Sequence, residues 1–306
     1  MKAETAGDPM TGLKWTRRTT AKVASELKAL GIKVSDRTVA KLLKQMDFSL
    51  RVNHKQLSRV CSVSREERDA QFEHIAKLRE DFASKGLPII SVDTKKKELV
   101  GLFKNPGTTW ERTPKMVNDH DFRSDAKGIA VPYGIYDLLA NHGTVFVGTS
   151  SDTPEFAAEN IEKWWRYDGK KRYGKANRIV ILADAGGSNG PTCRAWKYGL
   201  YRELCQRHGL TVTVAHYPSG ASKWNPIEHR LFSQLSKNWA GCPLDSFQTI
   251  LSYARTTRTT TGLQVNAHYI RKHFQKGIKI PDSVIRGLPI AKDINLPRWN
   301  YTICPN

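Results

Sequence analysis

The sequence predicts an α/β protein, a mixed sheet flanked by helices, preceded by a separate helical region at the N-terminus. Three observations carry that expectation. Apolar residues recur at helical spacing between Thr19 and Met46. After Gly86 the pattern changes to apolar runs of strand length alternating with helical stretches, the order of a sheet covered by helices. Two of those runs, Ile-Ile-Ser-Val and Ile-Val-Ile-Leu-Ala, end on an acid, Asp93 and Asp184.

Val23, Leu27 and Leu30 share one face of a first helix, which should stop at Gly31. Ser35 or Asp36 offers the N-cap of a second helix carrying Val39, Leu42, Leu43 and Met46. Two short helices joined by Gly-Ile-Lys-Val fit a helix-turn-helix, with Arg37, Lys41 and Lys44 facing outward toward phosphates and base edges. Residues 1–15 read as a disordered start, and Phe48 to Ser64 as a basic linker. A third helix, Arg65 to Ser84, carries Phe72, Ile75, Leu78 and Phe82 on one face. The expected division is therefore a DNA-binding region over 1–63 and a larger α/β domain over 64–306.

Within the larger domain, strands are expected at Leu87–Val92, Glu98–Phe103, Gly128–Tyr136 and Gly143–Gly148. Lys95-Lys96-Lys97 reads as a hairpin turn between the first two, and residues 105–127 as a polar insertion. A helix (Pro154–Trp165), a basic loop (Arg166–Lys175) and a strand (Arg178–Ala183) follow. The chain closes with a helix (Pro191–His208), a strand (Thr211–His216) and a helical extension from Asn225.

The charge balance names the partner. Forty-nine Lys and Arg against 29 Asp and Glu leave a formal charge of +20, and residues 1–60 alone hold +8. Such an excess suits a polyanion, and nucleic acid fits better than an acidic membrane because no basic amphipathic anchor is present. No apolar run is long enough to span a bilayer and no signal peptide is evident, so a cytoplasmic, nucleoid-associated protein is expected. Five scattered cysteines without a Cys-x-x-Cys pair exclude a zinc or disulfide framework. The Gly-rich run Ala185–Gly190 lacks the order and lysine of a P-loop, and no Gly-x-Ser-x-Gly supports an esterase.

Asp93 and Asp184 stand where open α/β sheets place their sites, at the ends of strands. Side by side, two carboxylates need a shared proton or a divalent cation. Oxygen donors without thiolates point to Mg2+, with Mn2+ able to substitute. Each acid also suits an ordinary turn. Glu228 in Trp-Asn-Pro-Ile-Glu-His is the third candidate, but Asn225, Pro226 and Glu228 equally fit a helix start with a capping box.

Taken together, Val-Asp-Thr-Lys-Lys-Lys-Glu-Leu-Val-Gly, Ala-Asp-Ala-Gly-Gly-Ser-Asn-Gly and Trp-Asn-Pro-Ile-Glu-His resemble the ISAzo13-type insertion-sequence transposases. The likeness continues through Lys104–Gly107, His120–Phe122, Val131–Tyr136 and His216–Pro218, and covers about residues 10 to 280. Asn-Pro-Ile-Glu is shared more widely with IS630/Tc1-like transposases. The resemblance implies an RNase H-like core and a DDE triad of Asp93, Asp184 and Glu228, separated by 91 and 44 positions. It implies cleavage at element ends and joining of the 3′-OH to target DNA through two Mg2+ ions. Pairing two ends makes a homodimer on DNA an expectation. Family members carry further helical sequence before this hairpin, so the chain reads as shortened at its N-terminus.

Basic groups are expected to hold the DNA backbone around the site. Lys95, Lys96 and Lys97 follow Asp93, and Lys170, Lys171 and Arg172 sit among Trp164, Trp165, Tyr167 and Tyr173. Asn189, Lys223 and His229 flank the triad. Two other readings fit these residues: a truncated, idle DNA-binding copy acting as a repressor, and a related RNase H-like nuclease or integrase.

Overall fold

The computed structural model describes residues 5–7, 14–16, 19–50 and 63–306. The chain divides into two compact units, Met1–Ser62 and Val63–Asn306.

In the first unit, β1 (Thr5–Gly7) and β2 (Lys14–Thr16) pair antiparallel, where the sequence suggested a disordered start. Helix α1 (Thr20–Ala29) is capped by Thr19 and α2 (Asp36–Gln45) by Ser35, whose hydroxyl accepts from the Thr38 N–H at 3.1 Å. Between them Gly31 takes a φ of +85°, and the Ile32 N–H returns to the Leu27 carbonyl at 2.9 Å, so the chain leaves α1 as expected. The apolar face of α2 is thinner than its pattern promised. Val39 is buried, whereas Leu42 and Met46 are exposed. Most of the expected basic linker lies outside the described residues.

The second unit opens with α3 (Arg65–Ser84), capped by Ser64 and burying Ile75 and Phe82. Then come β3 (Ile89–Thr94), β4 (Glu98–Val100), β5 (Gly128–Asp137) and β6 (His142–Gly148). Helix α4 (Pro154–Trp164) runs through a π-helical turn at Trp165–Gly169 into α5 (Lys170–Arg172), so the expected basic loop is mostly helical. After β7 (Arg178–Asp184) come α6 (Arg194–Leu200), with a π-helical continuation, β8 (Thr211–Tyr217) and α7 (Ser233–Asn238). The chain ends with α8 (Phe247–Thr256), β9 (Gln264–Ile270), α9 (Asp282–Arg286), β10 (Ile290–Lys292) and β11 (Asn300–Ile303).

The strands form one mixed sheet in the order β10-β11-β8-β7-β3-β5-β6-β9, with β4 pairing off β5. Pairs β3–β7, β7–β8 and β6–β9 are parallel, while β3–β5 and β5–β6 are antiparallel. This is the mixed sheet of an RNase H-like core. Two details depart from expectation. Lys95–Lys97 do not close a hairpin of β3 on β4, because Glu98 pairs with Ala130 of β5. The C-terminal extension is not wholly helical: β9 extends one edge of the sheet and β11 with β10 the other. Short alternating strands so far along the chain carried too little periodicity to be separated from the helices beside them.

Alternation along the central strands divides the core. Ile90, Val92, Ile179 and Ile181 pack with α4 and α6 around the fully buried Trp164 and Trp196. Ile89, Val180 and Leu182 pack on the other face with Ile75 and Phe82 of α3. Ser91, Asp93 and Asp184 share this second face by the two-residue period of a strand.

Candidate active site

Strands β3 and β7 lie side by side in parallel, with Val92 opposite Ala183. Asp93 and Asp184 are the next residues, so their carboxylates emerge together at the same end and on the same face of the sheet. The third acid arrives on a helix. The chain after β8 enters a helical segment at Pro226, and Glu228 opens its π-helical turn Glu228–Phe232. Gly134, which pairs with Asp93, lets that helix settle on β5: a Cβ there would collide with the Phe232 ring and stand 2.9 Å from Ile227.

The helix is also tied directly to the acids. Asn225 Nδ2 donates to Asp184 Oδ1 at 3.0 Å, Ser91 Oγ donates to Asn225 Oδ1, and the Ile227 N–H donates to Ser91 Oγ at 3.1 Å. The capping-box reading therefore gives way to another. The buried Asn225 turns its side chain across β7 and β3 instead of onto its own helix.

Electrostatics mark the acids as neighbours. Burial pushes the Asp93 carboxyl up to about 7, and the charges of Asp184, Glu228 and Asp152 add to this against a 2.7 Å hydrogen bond from the Thr94 N–H. Burial also raises Asp184, opposed by hydrogen bonds from Ser222 and Asn225. Glu228 is raised by burial and by Asp184, with His229 and Lys95 acting the other way. Among the described residues, no three His, Cys, Asp or Glu side chains stand within reach of one metal ion. The three acids feel one another's charge at the end of the central strands β3 and β7 without closing into a single cage. The donor set is nonetheless all oxygen, and its desolvated like charges are the surroundings a hard divalent cation relieves, so the residues fit Mg2+ or Mn2+.

A cleft of about 480 Å³ opens over Asp93 and Asp184, lined also by Lys96, Lys97, Asn189 and a fourth carboxylate, Asp152. Asp152 accepts from Thr94 Oγ1 at 3.1 Å and Ser188 Oγ at 3.0 Å, joining the end of β3 to the segment after β7. Nothing in Ser-Ser-Asp-Thr-Pro except a helix start had drawn notice. His216 was also missed. Fully buried on β8, it hydrogen-bonds the Asp184 carbonyl through Nδ1 at 3.0 Å, and burial holds its pKa down at about 4.

The basic candidates separate. Lys96, Lys97 and Lys223 are exposed, and Arg37, Lys41 and Lys44 are exposed on α2 of the first unit. Lys95 is no surface group. It is nine-tenths buried, ion-paired with Glu98 at 2.7 Å, and stands 4.8 Å over the Trp239 ring. Lys170, Lys171 and Arg172 are absent from the lining of the cleft over Asp93 and Asp184. They lie at the other end of the sheet, where Arg172 pairs with the buried Asp137 at 3.5 Å. His229 is exposed and hydrogen-bonds the Lys223 carbonyl.

Among solved structures, the chain resembles the Mos1 transposase paired-end complex with left transposon end, at 14% identity and a TM-score of 0.46, over 77% of this chain and 65% of that one. The Mos1 Strand Transfer Complex is similar at 17% identity and a TM-score of 0.45, over 77% of this chain and 64% of that one. The chain thus spans about two-thirds of the length of the Mos1 chains it matches, and slightly less than that in each case. No curated protein matches it. The family described as the Rhodopirellula transposase DDE domain matches residues 1–305, and the chain belongs to that family.

Proposed function

We propose that the protein is a transposase that cuts phosphodiester bonds at insertion-sequence ends and joins the 3′-OH to target DNA. The observation that carries this is the pairing of Asp93 with Asp184 at adjacent parallel strand ends, tied through Asn225 to the helix bearing Glu228. Asp93, Asp184 and Glu228 would hold two Mg2+ ions, with Mn2+ able to substitute. Bound there, the ions would lower the pKa of an attacking water or 3′-OH and stabilise the leaving oxygen.

The chain's own residues do the positioning. Asn225 fixes the rotamer of Asp184, and the Thr94 N–H fixes that of Asp93. Lys95 is held near Glu228 and offsets part of its charge. Lys96 and Lys97 stand exposed on the rim of the cleft to meet the DNA backbone, with Asn189 lining it from the segment after β7 and Lys223 beside its lining residue Ser222 after β8. In the first unit, Arg37, Lys41 and Lys44 would contact element-end DNA as a helix-turn-helix does. Two ends must be joined, which calls for a homodimer on DNA, and the substrate places the work at the bacterial nucleoid. Among the described residues no helix is long and apolar enough to cross a membrane.

Asp93→Asn and Asp184→Asn should each reduce Mg2+-dependent nicking of end-containing DNA by about a thousandfold while DNA binding persists. Wild-type cleavage by either variant would overturn the assignment. A wild-type protein that binds ends but never cuts them in Mg2+ or Mn2+ would favour the idle repressor.

A further inference from the structure

A groove of about 870 Å³ runs beside the carboxylate cleft and shares Asp152 with it. Its walls are the start of α4, the facing side of α6 and the irregular segment 275–281. That segment is anchored by Phe274, whose ring is buried against Phe156 and whose N–H donates to Ser150 Oγ at 3.1 Å. Beyond it, Asp282 of α9 pairs with Arg194 of α6.

Two acids line the groove, Asp152 and Glu155, the latter paired with Lys272 at 3.1 Å, and its four basic groups are of two kinds. Arg194 is matched by Asp282, and Arg202 by Glu203 at 2.7 Å. Lys276 and Lys279 are exposed, and among the described residues neither has an acid within ion-pair distance. Between them Ile278 leaves 51% of its surface exposed, with Tyr198 on the facing wall. Lysines alternating with open apolar surface serve no packing need here. They do match a nucleic-acid strand, which offers phosphates to cations and unstacked bases to apolar and aromatic side chains. The groove has the volume of a ligand pocket, too small for a duplex.

We propose that this groove binds single-stranded DNA running on from the scissile phosphate, with phosphates on Lys276 and Lys279 and bases against Ile278 and Tyr198. The inference rests on the transposase reading, and the two can fail separately. Fluorescence anisotropy of the full chain with a labelled oligothymidine and a blunt duplex tests it. Lys276→Gln with Lys279→Gln should weaken oligothymidine binding about tenfold and reduce its salt slope by about 1.4, at roughly 0.7 per phosphate. Ile278→Ser should weaken binding without changing the slope. Blunt-duplex affinity should move less than about twofold in both variants. Unchanged oligothymidine binding overturns the proposal and leaves the groove to a peptide segment. An equal loss on both DNAs overturns it in favour of a general backbone contact. Asp184→Asn should keep oligothymidine binding while losing cleavage, so failure of the catalytic reading gives a different result.

Discussion

Asp137 and Asp184 both end a central strand of the same sheet, toward opposite strand ends, and their surroundings differ in kind. Asp137 is fully buried and saturated with donors. The Tyr173 hydroxyl donates to it at 2.8 Å, the N–H groups of Leu139 and Ala140 at 3.2 and 3.1 Å, and Arg172 supplies the charge. Asp184 takes the Asn225 amide and faces Asp93, whose carboxyl is itself driven up to about 7 by burial and by its neighbours. A buried acid with its own cation and donors is an anchor. A pair of acids left short of positive charge is one that a divalent cation would relieve, as the proposed function requires.

The widest gap between the two regions should appear when each acid is removed. Asp184→Asn should cost cleavage about a thousandfold and little stability in metal-free buffer, because it relieves repulsion. Asp137→Ala should do the reverse. It strands the Arg172 charge, the Tyr173 hydroxyl and two N–H groups, and should destabilise the fold by about 3 kcal/mol in urea unfolding. Normal stability of the Asp137 variant would contradict the anchor role.

Asn225 joins the two kinds of behaviour, since it is buried and satisfied yet touches a site acid. Asn225→Ala frees Asp184 and leaves Ser91 without its acceptor. Divalent-ion affinity, followed by Mn2+ titration, should fall by about 10- to 100-fold, the usual effect of losing a residue that orients a metal ligand. Stability should fall by about 1–3 kcal/mol. Unchanged Mn2+ affinity would reduce Asn225 to a packing role.

These contrasts explain what could be read without coordinates. The strand-end positions of Asp93 and Asp184 were legible, because a short, mostly apolar run before an acid fixes both element and end. So were α3 to the residue and the stop at Gly31. Asp152 and Asn225 were not, since their roles depend on which loops and strands meet across the sheet. Residue spacing offers only their local alternatives, a helix start and a cap. The place of the Lys170–Arg172 segment was not legible for the same reason. Charge and aromatics gave its composition, and only the direction of β7 says which end of the sheet it occupies.

A smaller effect concerns pH in metal-free protein. With its folded pKa near 7 instead of the ordinary 3.8, Asp93 binds more protons native than unfolded between those values, so stability falls as pH rises through that window and levels off above it. In EDTA the chain should lose about 1 kcal/mol between pH 6 and pH 8, and Asp93→Asn should flatten the slope. Added Mg2+ should stabilise the protein more at pH 8 than at pH 6. A slope that survives in the variant would place the titrating group elsewhere.

The smallest expected effect is the most direct test of which end of the sheet meets DNA. Lys170 and Lys171 are exposed and belong to the segment whose Arg172 pairs with Asp137, toward the strand end away from Asp93 and Asp184. At 0.1 M salt the field of exposed charges falls off over a Debye length of about 10 Å, so groups that do not line the cleft act weakly on its carboxylates. Lys170→Ala with Lys171→Ala should therefore change cleavage of a short end-containing duplex by less than about twofold, while Lys96→Ala with Lys97→Ala weakens it by more. If the first pair matters as much as the second, the DNA must reach beyond the cleft to this segment, and the Asp137 region would be a contact surface as well as an anchor.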